Sequence, residues 1–459
     1  MNYKKEFFVS VNEARVLKSI PKKGKGTAVN VLLMGTWVGV KKQIGNWYEI
    51  DTAGNSGFIN ENDVSSDMGL KVFFIDVGQG DAILIEIGKI KILIDGGEDS
   101  SLKNYLTKSH FQYLLSKEKK LHFDYVIITH FDSDHYSGLT DIINDSRFTF
   151  GTVYHNGIAR FTSDKKIRPK KYNTDLGETA KTGKVQYLKT SFDNLKSLGN
   201  LKSNHGLQNN FYSFVKALET AQSQGRLIDT QWLTNKVSFP NIKIPNHKFK
   251  IEVLGPVLTN NNFIWFKDSS KTRNGHSVVL KLIYDNVSIL FCGDMNELSE
   301  EHLLNNYKGN TAIFESDVIK ASHHGSPDFG IDFLDAVKPK AAVISSGDNE
   351  SYSHPSADRL GCLGRYSKIA KPVIFATELA RSINRSGKIQ FGMINLRSNG
   401  KEIYLAQMKE IATDVNIWDS YKVDMNISKS KTKRMPKTKK LNKTKKLNKT
   451  KKPIKKPNP

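Results

Sequence analysis

The stretch YVIITHFDSDH, residues 125–135, joins an apolar run to two imidazoles and two carboxylates, which belong to His130, Asp132, Asp134 and His135. Four such groups on one loop repel one another or lack partners unless cations lie between them. Residues 130, 132 and 134 can point the same way from an extended turn, with His135 approaching from the next position. The stretch therefore predicts a buried strand followed by a site for two neighbouring metal ions. The alternative is a solvated polar loop.

Similar apolar runs recur after residue 70 and predict a sheet-rich domain with interspersed helices. The expected strands are 71–75, 82–85, 90–94, 277–283, 287–291 and 341–344, and the expected helices are 101–118, 210–223, 297–306 and 356–368. This mixture predicts an α/β or α+β fold. The polar motifs follow predicted strands, where a loop can carry chemistry on a rigid scaffold.

Five further segments accompany the His-x-Asp-x-Asp-His stretch in a fixed order. They are FIDVGQGD at 74–81, IDGG at 94–97, CGD at 292–294, ASHHGS at 321–326 and YSHPS at 352–356. Together these motifs resemble the hydrolase domain of ComEC-like competence proteins, which has the metallo-β-lactamase fold, over about residues 70–400. The resemblance implies an α/β fold of the four-layer αββα type for residues 70–410 and the activity of a metal-dependent hydrolase.

The metal ligands that we expect from this resemblance are His130, Asp132, Asp134, His135, His276, Asp294 and His323. A first ion would take His130, Asp132 and His276, and a second ion would take the remaining ligands. Asp294 would bridge the two ions, because a carboxylate has two oxygens to share. The choice of His323 over His324 stays open. Asp132 supplies oxygen in place of an imidazole, so the set suits manganese as well as zinc; we expect two divalent ions, zinc first and manganese as the alternative.

The catalytic residues that we expect are Asp95, Asp134, His324 and His354. A water activated by the two ions would be the nucleophile near neutral pH. The histidine of the 323–324 pair that is not a ligand, or His354, could donate a proton to the leaving oxygen. Asp95 would orient a ligand imidazole from outside the metal's own shell.

Two features depart from the ComEC-like pattern. His276 stands where many such chains have no histidine, although other members of the superfamily place a ligand there; the alternative is a histidine at the end of a loop. About 140 residues separate His135 from His276, and the excess length coincides with residues 151–250. We interpret residues 151–250 as a basic insertion near the mouth of the active site, where substrate choice would differ from that of relatives.

The two ends of the chain have their own character. Residues 1–66 contain short predicted strands separated by turns, and their order resembles bacterial SH3-like domains. Trp37, Trp47 and Phe58 would form the core of this small domain or, alternatively, a groove for a peptide or glycan, and we expect a peptide or protein partner here. Residues 428–459 are a low-complexity, Lys-rich tail without an apolar face, which predicts disorder.

The net charge of +23 is concentrated in two regions. Residues 429–459 carry 15 Lys or Arg and no acid, and residues 151–250 carry 17 Lys or Arg against 6 acids, so the remainder is slightly acidic. Clustered cations of this kind favour a polyanionic partner, whereas the alternative is a solubilising surface. With two cysteines and no export or membrane signal, we expect a cytoplasmic location and no membrane association.

These observations favour a phosphodiesterase or nuclease that acts on nucleic acid through a metal-activated water. An enzyme for a smaller ester, such as a lactam, a thioester or phosphorylcholine, would use the same metals. A protein that binds nucleic acid on a catalytically silent hydrolase fold is the alternative from a different class. Metal content and a panel of chromogenic esters distinguish these hypotheses.

Overall fold

A computed structural model describes residues 3–116, 119–203, 206–347, 352–378, 392–409 and 414–425. The predicted disordered tail, 428–459, lies outside these residues. Within the described ranges, every helix is too short or too polar to cross a bilayer.

The strands, in chain order, are β1 (Lys5–Val9), β2 (Glu13–Leu17), β3 (Ala28–Leu33), β4 (Trp37–Ile44), β5 (Trp47–Thr52), β6 (Gly57–Asn60), β7 (Val64–Ser65), β8 (Leu70–Phe74), β9 (Ile83–Ile87), β10 (Ile90–Ile94), β11 (Leu121–Ile127), β12 (Phe148–His155), β13 (Thr179–Thr182), β14 (Val185–Leu188), β15 (Leu227–Trp232), β16 (Phe249–Gly255), β17 (Phe263–Ile264), β18 (Val279–Tyr284), β19 (Val287–Phe291), β20 (Val318–Lys320), β21 (Ala341–Ile344), β22 (Val373–Ala376), β23 (Ile394–Ser398), β24 (Ile403–Met408) and β25 (Trp418–Val423). The α-helices are α1 (Ser101–Tyr105), α2 (Gln112–Leu115), α3 (Ser133–Asn144), α4 (Leu195–Ser203), α5 (Asn209–Ser223), α6 (Ser269–Gly275), α7 (Glu297–Asn306), α8 (Ile331–Val337) and α9 (Ala357–Arg365).

Two β-sheets pack face to face at the centre of the hydrolase domain. The larger sheet has the order β15-β12-β11-β10-β9-β8-β23-β24-β25, and the smaller has the order β16-β18-β19-β20-β21-β22. The neighbours β10, β11, β12 and β15 run parallel, as do β19, β20, β21 and β22. Parallel strands are stable mainly where both faces are covered, which explains their nearly continuous apolar sequences.

Each sheet buries one face against the other sheet and the opposite face against helices. In β9, Ile83 and Ile85 belong to the core between the sheets, whereas Leu84 packs in the cluster that includes residues of α1, α3 and α5. In β19, Ile289 lies between the sheets and Leu290 packs with residues of α7, α8 and α9. This alternation is the period of two that a strand imposes. The resulting αββα order of layers confirms the predicted fold class.

Residues 3–66 form a separate sheet with the order β3-β2-β6-β5-β4-β1-β7 and an apolar core of its own. The prediction of short strands here is confirmed, and the likeness to SH3-like domains stays a prediction. Trp37, Trp47 and Phe58 are all half-buried, which is compatible with either predicted role.

The N-terminal sheet contacts the outer strand of the larger sheet. The Asn12 amide donates to Ser420 Oγ over 3.1 Å, and Trp418 Nε1 donates to the carbonyl oxygen of Val31 over 3.3 Å. After this sheet, the Asp67 carboxylate lies 2.9 Å from His247 Nε2. The N-terminal sheet is therefore joined to the hydrolase domain by polar contacts as well as by the chain.

Residues 151–250 are only partly an inserted segment, which corrects the sequence interpretation. Strands β12 and β15 belong to the larger sheet. Helix α5 packs Phe211 and Phe214 against Phe131, with ring centroids 4.8 and 5.8 Å apart. Phe131 lies within the metal-motif stretch, residues 125–135. Helix α5 therefore packs against this stretch and supports it.

Candidate metal centre

The metal-motif stretch passes from β11 directly into α3. Asp132 has extended backbone angles just before the helix, and Asp134 and His135 lie in its first turn. A carboxylate such as that of Asp134 is favoured in the first turn of a helix, whereas the Asp132 side chain makes no capping hydrogen bond. Successive helical residues turn by about 100°, so the predicted common direction of residues 130, 132 and 134 is not maintained.

Four side chains, which we call the metal cluster, converge at one edge of the two sheets: Asp134, His135, Asp294 and His324. One ligand atom from each lies within 4.8 Å of all the others. His324 Nε2 is 3.1 Å from Asp294 Oδ2 and 3.4 Å from Asp134 Oδ2, while His135 Nε2 is 3.4 Å from the same Asp294 oxygen. Two imidazoles and two carboxylates around one point make a ligand set for a single divalent cation.

The two histidines of the metal cluster are held by their second ring nitrogen. His135 Nδ1 lies 2.8 Å from Asp95 Oδ2, and Asp95 also accepts hydrogen bonds from the backbone N–H and hydroxyl of Thr129 at 2.7 and 2.6 Å. His324 Nδ1 lies 3.1 Å from the carbonyl oxygen of Ser345, to which it donates. Both contacts place the proton on Nδ1 and leave the Nε2 lone pair for an ion. Asp95 therefore lies where it can orient the His135 imidazole.

A strained loop presents His324. His323 and His324 have φ angles of 50° and 52°, and Gly325 follows with a φ of 83°. Non-glycine residues rarely adopt this left-handed conformation, and it is retained where surrounding structure enforces it. The turn directs His324 into the buried metal cluster, whereas the His323 side chain keeps 27% of its surface exposed.

Several buried polar atoms mark the place of an ion. Within the described residues, His130 Nε2, His135 Nε2, His324 Nε2 and Asp294 Oδ1 are buried without a hydrogen-bond partner. Such atoms are nearly always hydrogen-bonded or bound to a cation. The site therefore fits a divalent metal, and its nitrogen and oxygen donors suit zinc or manganese.

The carboxylates make both cluster imidazoles strongly basic. Burial opposes the charged form, yet Asp294 and Asp134 raise the pKa of His324 to about 10 and raise the pKa of His135 well above its ordinary value. A lone pair with high proton affinity in this position also binds a cation, which would displace the proton.

His323 and His354 lie beside the metal cluster rather than within it. His323 Nε2 is 4.0 Å from Asp294 Oδ2, and the ring of His354 is 6.1 Å from that of His323. The sequence named His323 as the expected ligand and His324 as catalytic but left the choice between them open. The geometry favours His324 as the ligand, because His324 is the one that meets both Asp134 and Asp294.

Asp132 is held by cations and is not directed at the metal cluster, which corrects its predicted role. Its Oδ1 accepts a hydrogen bond from Arg160 over 2.9 Å and also contacts Arg273 Nε. In the orientation that satisfies its neighbours, the Asn274 amide donates to Asp132 Oδ2 over 3.0 Å. His130, the other predicted ligand nearby, has its Nε2 3.8 Å from Asp132 Oδ2 and its ring centroid 4.2 Å from that of His135.

His276 lies outside the metal cluster, which corrects its predicted role as a ligand. Its Nε2 donates to the carbonyl oxygen of Ile264 over 2.7 Å. Its ring packs between Phe263 and Phe266, each with a centroid 4.9 Å away. Burial lowers the pKa of His276 to about 3, so the ring is neutral. It is a packed core histidine at the end of α6.

Comparison with known proteins agrees with this geometry. The sequence matches the metallo-beta-lactamase superfamily over residues 75–347, a span that includes the whole metal cluster. The chain belongs to this superfamily. It is therefore a metal-dependent hydrolase, as the motifs predicted.

Two curated relatives share part of the sequence. ComE operon protein 3 of Bacillus subtilis (strain 168) is 33% identical over 97 residues, and competence protein ComA of Neisseria gonorrhoeae is 40% identical over 85 residues. The matches cover 21% and 18% of this chain and 12% of each relative, so the similarity spans only a small part of those proteins. Among solved structures, the metallo-beta-lactamase fold protein YhfI from Bacillus subtilis aligns with 68% of this chain and 98% of its own length, at 8% identity and a TM-score of 0.33.

Sequence reasoning missed several residues of this superfamily member's site. Arg160 and Arg273 carried no motif signal, although Arg273 lies three positions before His276 in the sequence. The ion pair between Lys320 and Asp81 is fully buried beside the metal cluster, and His324 Nδ1 is 3.8 Å from Asp81 Oδ1. Asp81 ends the FIDVGQGD segment, so this motif is the sequence signal for its place at the site.

Proposed function

We propose that the protein is a phosphodiesterase whose substrate is nucleic acid. The observation that carries this proposal is the placement of two guanidinium groups, Arg160 and Arg273, on Asp132, two residues before Asp134 of the metal cluster. Guanidinium groups match the geometry and charge of phosphate oxygens, and a divalent cation next to them suits the same group. The basic composition of residues 151–250, which border the site, and the similarity to competence proteins support the same substrate class.

The residues of the metal cluster and Asp95 would have different roles in hydrolysis. A divalent ion, when bound, supplies a Lewis acid that polarises a phosphoryl oxygen and lowers the pKa of a water. Asp134, His135, Asp294 and His324 would hold that ion, zinc or manganese. Asp95 fixes the tautomer and direction of His135.

His323, which is partly exposed, and the buried His354 would transfer protons beside the cluster. Burial, together with the neighbouring histidines, lowers the pKa of His354 to about 4, so its ring is neutral at neutral pH. It would therefore accept a proton before it could pass one to the leaving oxygen, which refines the predicted role of proton donor.

A nuclease assay with paired variants tests this function. Single- and double-stranded nucleic acids are incubated with the full chain and added Mn²⁺ or Zn²⁺. We expect Asp134→Ala combined with Asp294→Ala to lose activity by about 100-fold or more. Asp141→Ala is the matched control, because Asp141 lies exposed on the same helix α3.

The outcomes separate the hypotheses. Activity that survives the double substitution would contradict catalysis at the metal cluster. Activity on chromogenic esters but none on nucleic acid would overturn the substrate class and favour the small-ester hydrolase. A chain that binds no metal and is indifferent to chelators would favour the catalytically silent binding protein.

A further inference from the structure

Charged side chains occupy the place predicted for the first ion, the one expected to take His130, Asp132 and His276. Arg160, from the segment after β12, donates to Asp132 Oδ1 over 2.9 Å and to the carbonyl oxygen of Phe131 over 2.6 Å. Arg273, from α6, contacts the same Oδ1. With the Asn274 amide 3.0 Å from Oδ2, both carboxylate oxygens of Asp132 already accept hydrogen bonds. We call Arg160 and Arg273 the arginine pair.

The net charge of Asp132 and the arginine pair opposes the binding of a metal cation here in addition to the one at the metal cluster. Arginine stays protonated in proteins, so the arginine pair exceeds the charge of Asp132 by one positive unit. The side chains of Arg160, Arg273 and Asp132 keep only 12%, 14% and 19% of their surface exposed. Solvent screens charges weakly in such a position, and repulsion between a dication and the arginine pair would be strong.

The other ligands predicted for this ion cannot replace the Asp132 carboxylate as donors. His276 Nε2 donates a hydrogen bond to the carbonyl oxygen of Ile264 and is not free to bind a metal. Of the three ligands predicted for this ion alone, His130 is then the one left, with Nε2 3.8 Å from an Asp132 oxygen that already accepts a hydrogen bond. The other donor predicted for it is the second oxygen of Asp294, Oδ1, which is buried without a hydrogen-bond partner. One imidazole and one oxygen of a shared carboxylate fall short of the three or four protein ligands that a divalent site uses.

We propose that the centre takes one divalent ion, at the metal cluster, and that the arginine pair supplies the positive charge that a second ion would bring. Asp132 is then a positioning residue that holds both guanidinium groups toward the site. The metal stoichiometry is independent of the substrate. The proposal rests on the proposed function in one respect, which is that phosphodiester oxygens are the anionic groups neutralised by the arginine pair.

The number of metal ions bound per chain tests the first part of the proposal, that the centre takes one ion. The full chain is stripped with a chelator, reloaded with excess Mn²⁺ and desalted, and manganese per chain is measured by plasma mass spectrometry alongside calorimetric titration. We expect one ion per chain. Two tightly bound ions per chain would overturn the proposal.

A matched pair of neighbouring aspartates sharpens this test. Asp132→Asn keeps an oxygen that the arginine pair can bond, and we expect it to bind one Mn²⁺ with an affinity within about threefold of the parent. Asp134→Asn removes a cluster ligand, and we expect its affinity to fall by about 10–100-fold or more. If Asp132→Asn loses an ion or weakens binding as much as Asp134→Asn, Asp132 is a ligand and the proposal is wrong.

Binding of inorganic phosphate to the Mn²⁺-loaded chain tests the second part of the proposal, that the arginine pair supplies positive charge to phosphate oxygens. We expect Arg160→Gln and Arg273→Gln each to weaken phosphate binding by about tenfold while leaving one ion bound. Arg147→Gln is the control, since Arg147 pairs with Asp145 away from the cluster. Unchanged phosphate affinity in both variants would overturn the role of the arginine pair. Absence of nuclease activity in the parent chain would refute the proposed function yet leave the stoichiometry result valid.

Discussion

At the scale of single residues, the histidines of the site differ in what holds their ring nitrogens. His135 and His324 use Nδ1 for Asp95 and the Ser345 carbonyl, and both direct Nε2 at Asp294. His276 uses Nε2 for a backbone carbonyl and is surrounded by aromatic rings. Whether a buried histidine is a ligand or a core residue therefore depends on which nitrogen is free.

His276→Phe separates these two roles. We expect the variant to keep its metal, because the ring it replaces does not reach the metal cluster. We expect the free energy of unfolding to fall by about 1–3 kcal/mol, since the carbonyl oxygen of Ile264 loses its buried donor. Metal analysis and chemical denaturation measure the two effects, and His324→Phe, which we expect to lose the metal, is the comparison. Loss of metal from His276→Phe would restore His276 to the ligand set.

At the scale of elements, the loop from Ala321 to Ser326 connects the end of β20 to the metal cluster. Two buried side chains brace it from neighbouring helices. Arg359 of α9 donates to Ser322 Oγ over 2.8 Å, and Ser322 Oγ donates to Glu300 of α7 over 2.9 Å. Burial raises the pKa of Glu300 to about 7. These contacts explain how three consecutive left-handed residues are maintained at the site.

Gly325→Ala tests the strain in this loop. A Cβ at residue 325 would lie 2.6 Å from Pro355 Cβ, and the φ of 83° disfavours any side chain. We expect the loop to shift, Mn²⁺ affinity to fall by about 10–100-fold and stability to fall by about 1–3 kcal/mol. Gly361→Ala is the matched control, because residue 361 is exposed on α9 and its Cβ would meet no atom within 4 Å. Equal metal affinity in both variants would show that the loop conformation does not position His324.

At the scale of the whole molecule, the positive charge of the sequence is concentrated in residues 151–250 and 429–459. Residues 151–250 contribute strands to the larger sheet, and Phe211 packs against Phe131, so part of this basic segment is fixed to the backbone that carries the site. The Lys-rich tail begins beyond the described residues. Its 15 basic residues with no acid are a feature of the sequence alone.

Deletion of the chain after Ile427 tests the contribution of the tail. A polycation binds nucleic acid through phosphate contacts and counterion release. We expect the deletion to leave turnover of a short substrate unchanged, to weaken affinity for long nucleic acid at low salt, and to reduce the dependence of that affinity on salt. Filter binding at two salt concentrations measures this. Equal affinity of the two chains at low salt would assign the tail to solubility or to an acidic protein partner.

The sequence by itself determined the layers and most of the metal cluster. Apolar runs followed by polar motifs are local patterns, and the ends of parallel strands bring such motifs together at one edge of a sheet. For this reason Asp134, His135, Asp294 and the 323–324 pair could be identified from motifs alone. Helices α5 and α7 were likewise predicted within one residue of their observed bounds.

Only the tertiary structure decided which donors are free to bind metal. Arg160 lies 28 positions from Asp132 and Arg273 lies much further along the chain, so no local pattern could show that they saturate its carboxylate. The turning of His276 toward Ile264 and the selection of His324 over His323 depend likewise on backbone direction and packing partners. A motif specifies which residue types are present at a site, but the direction of each lone pair is fixed by contacts that form only when distant segments meet.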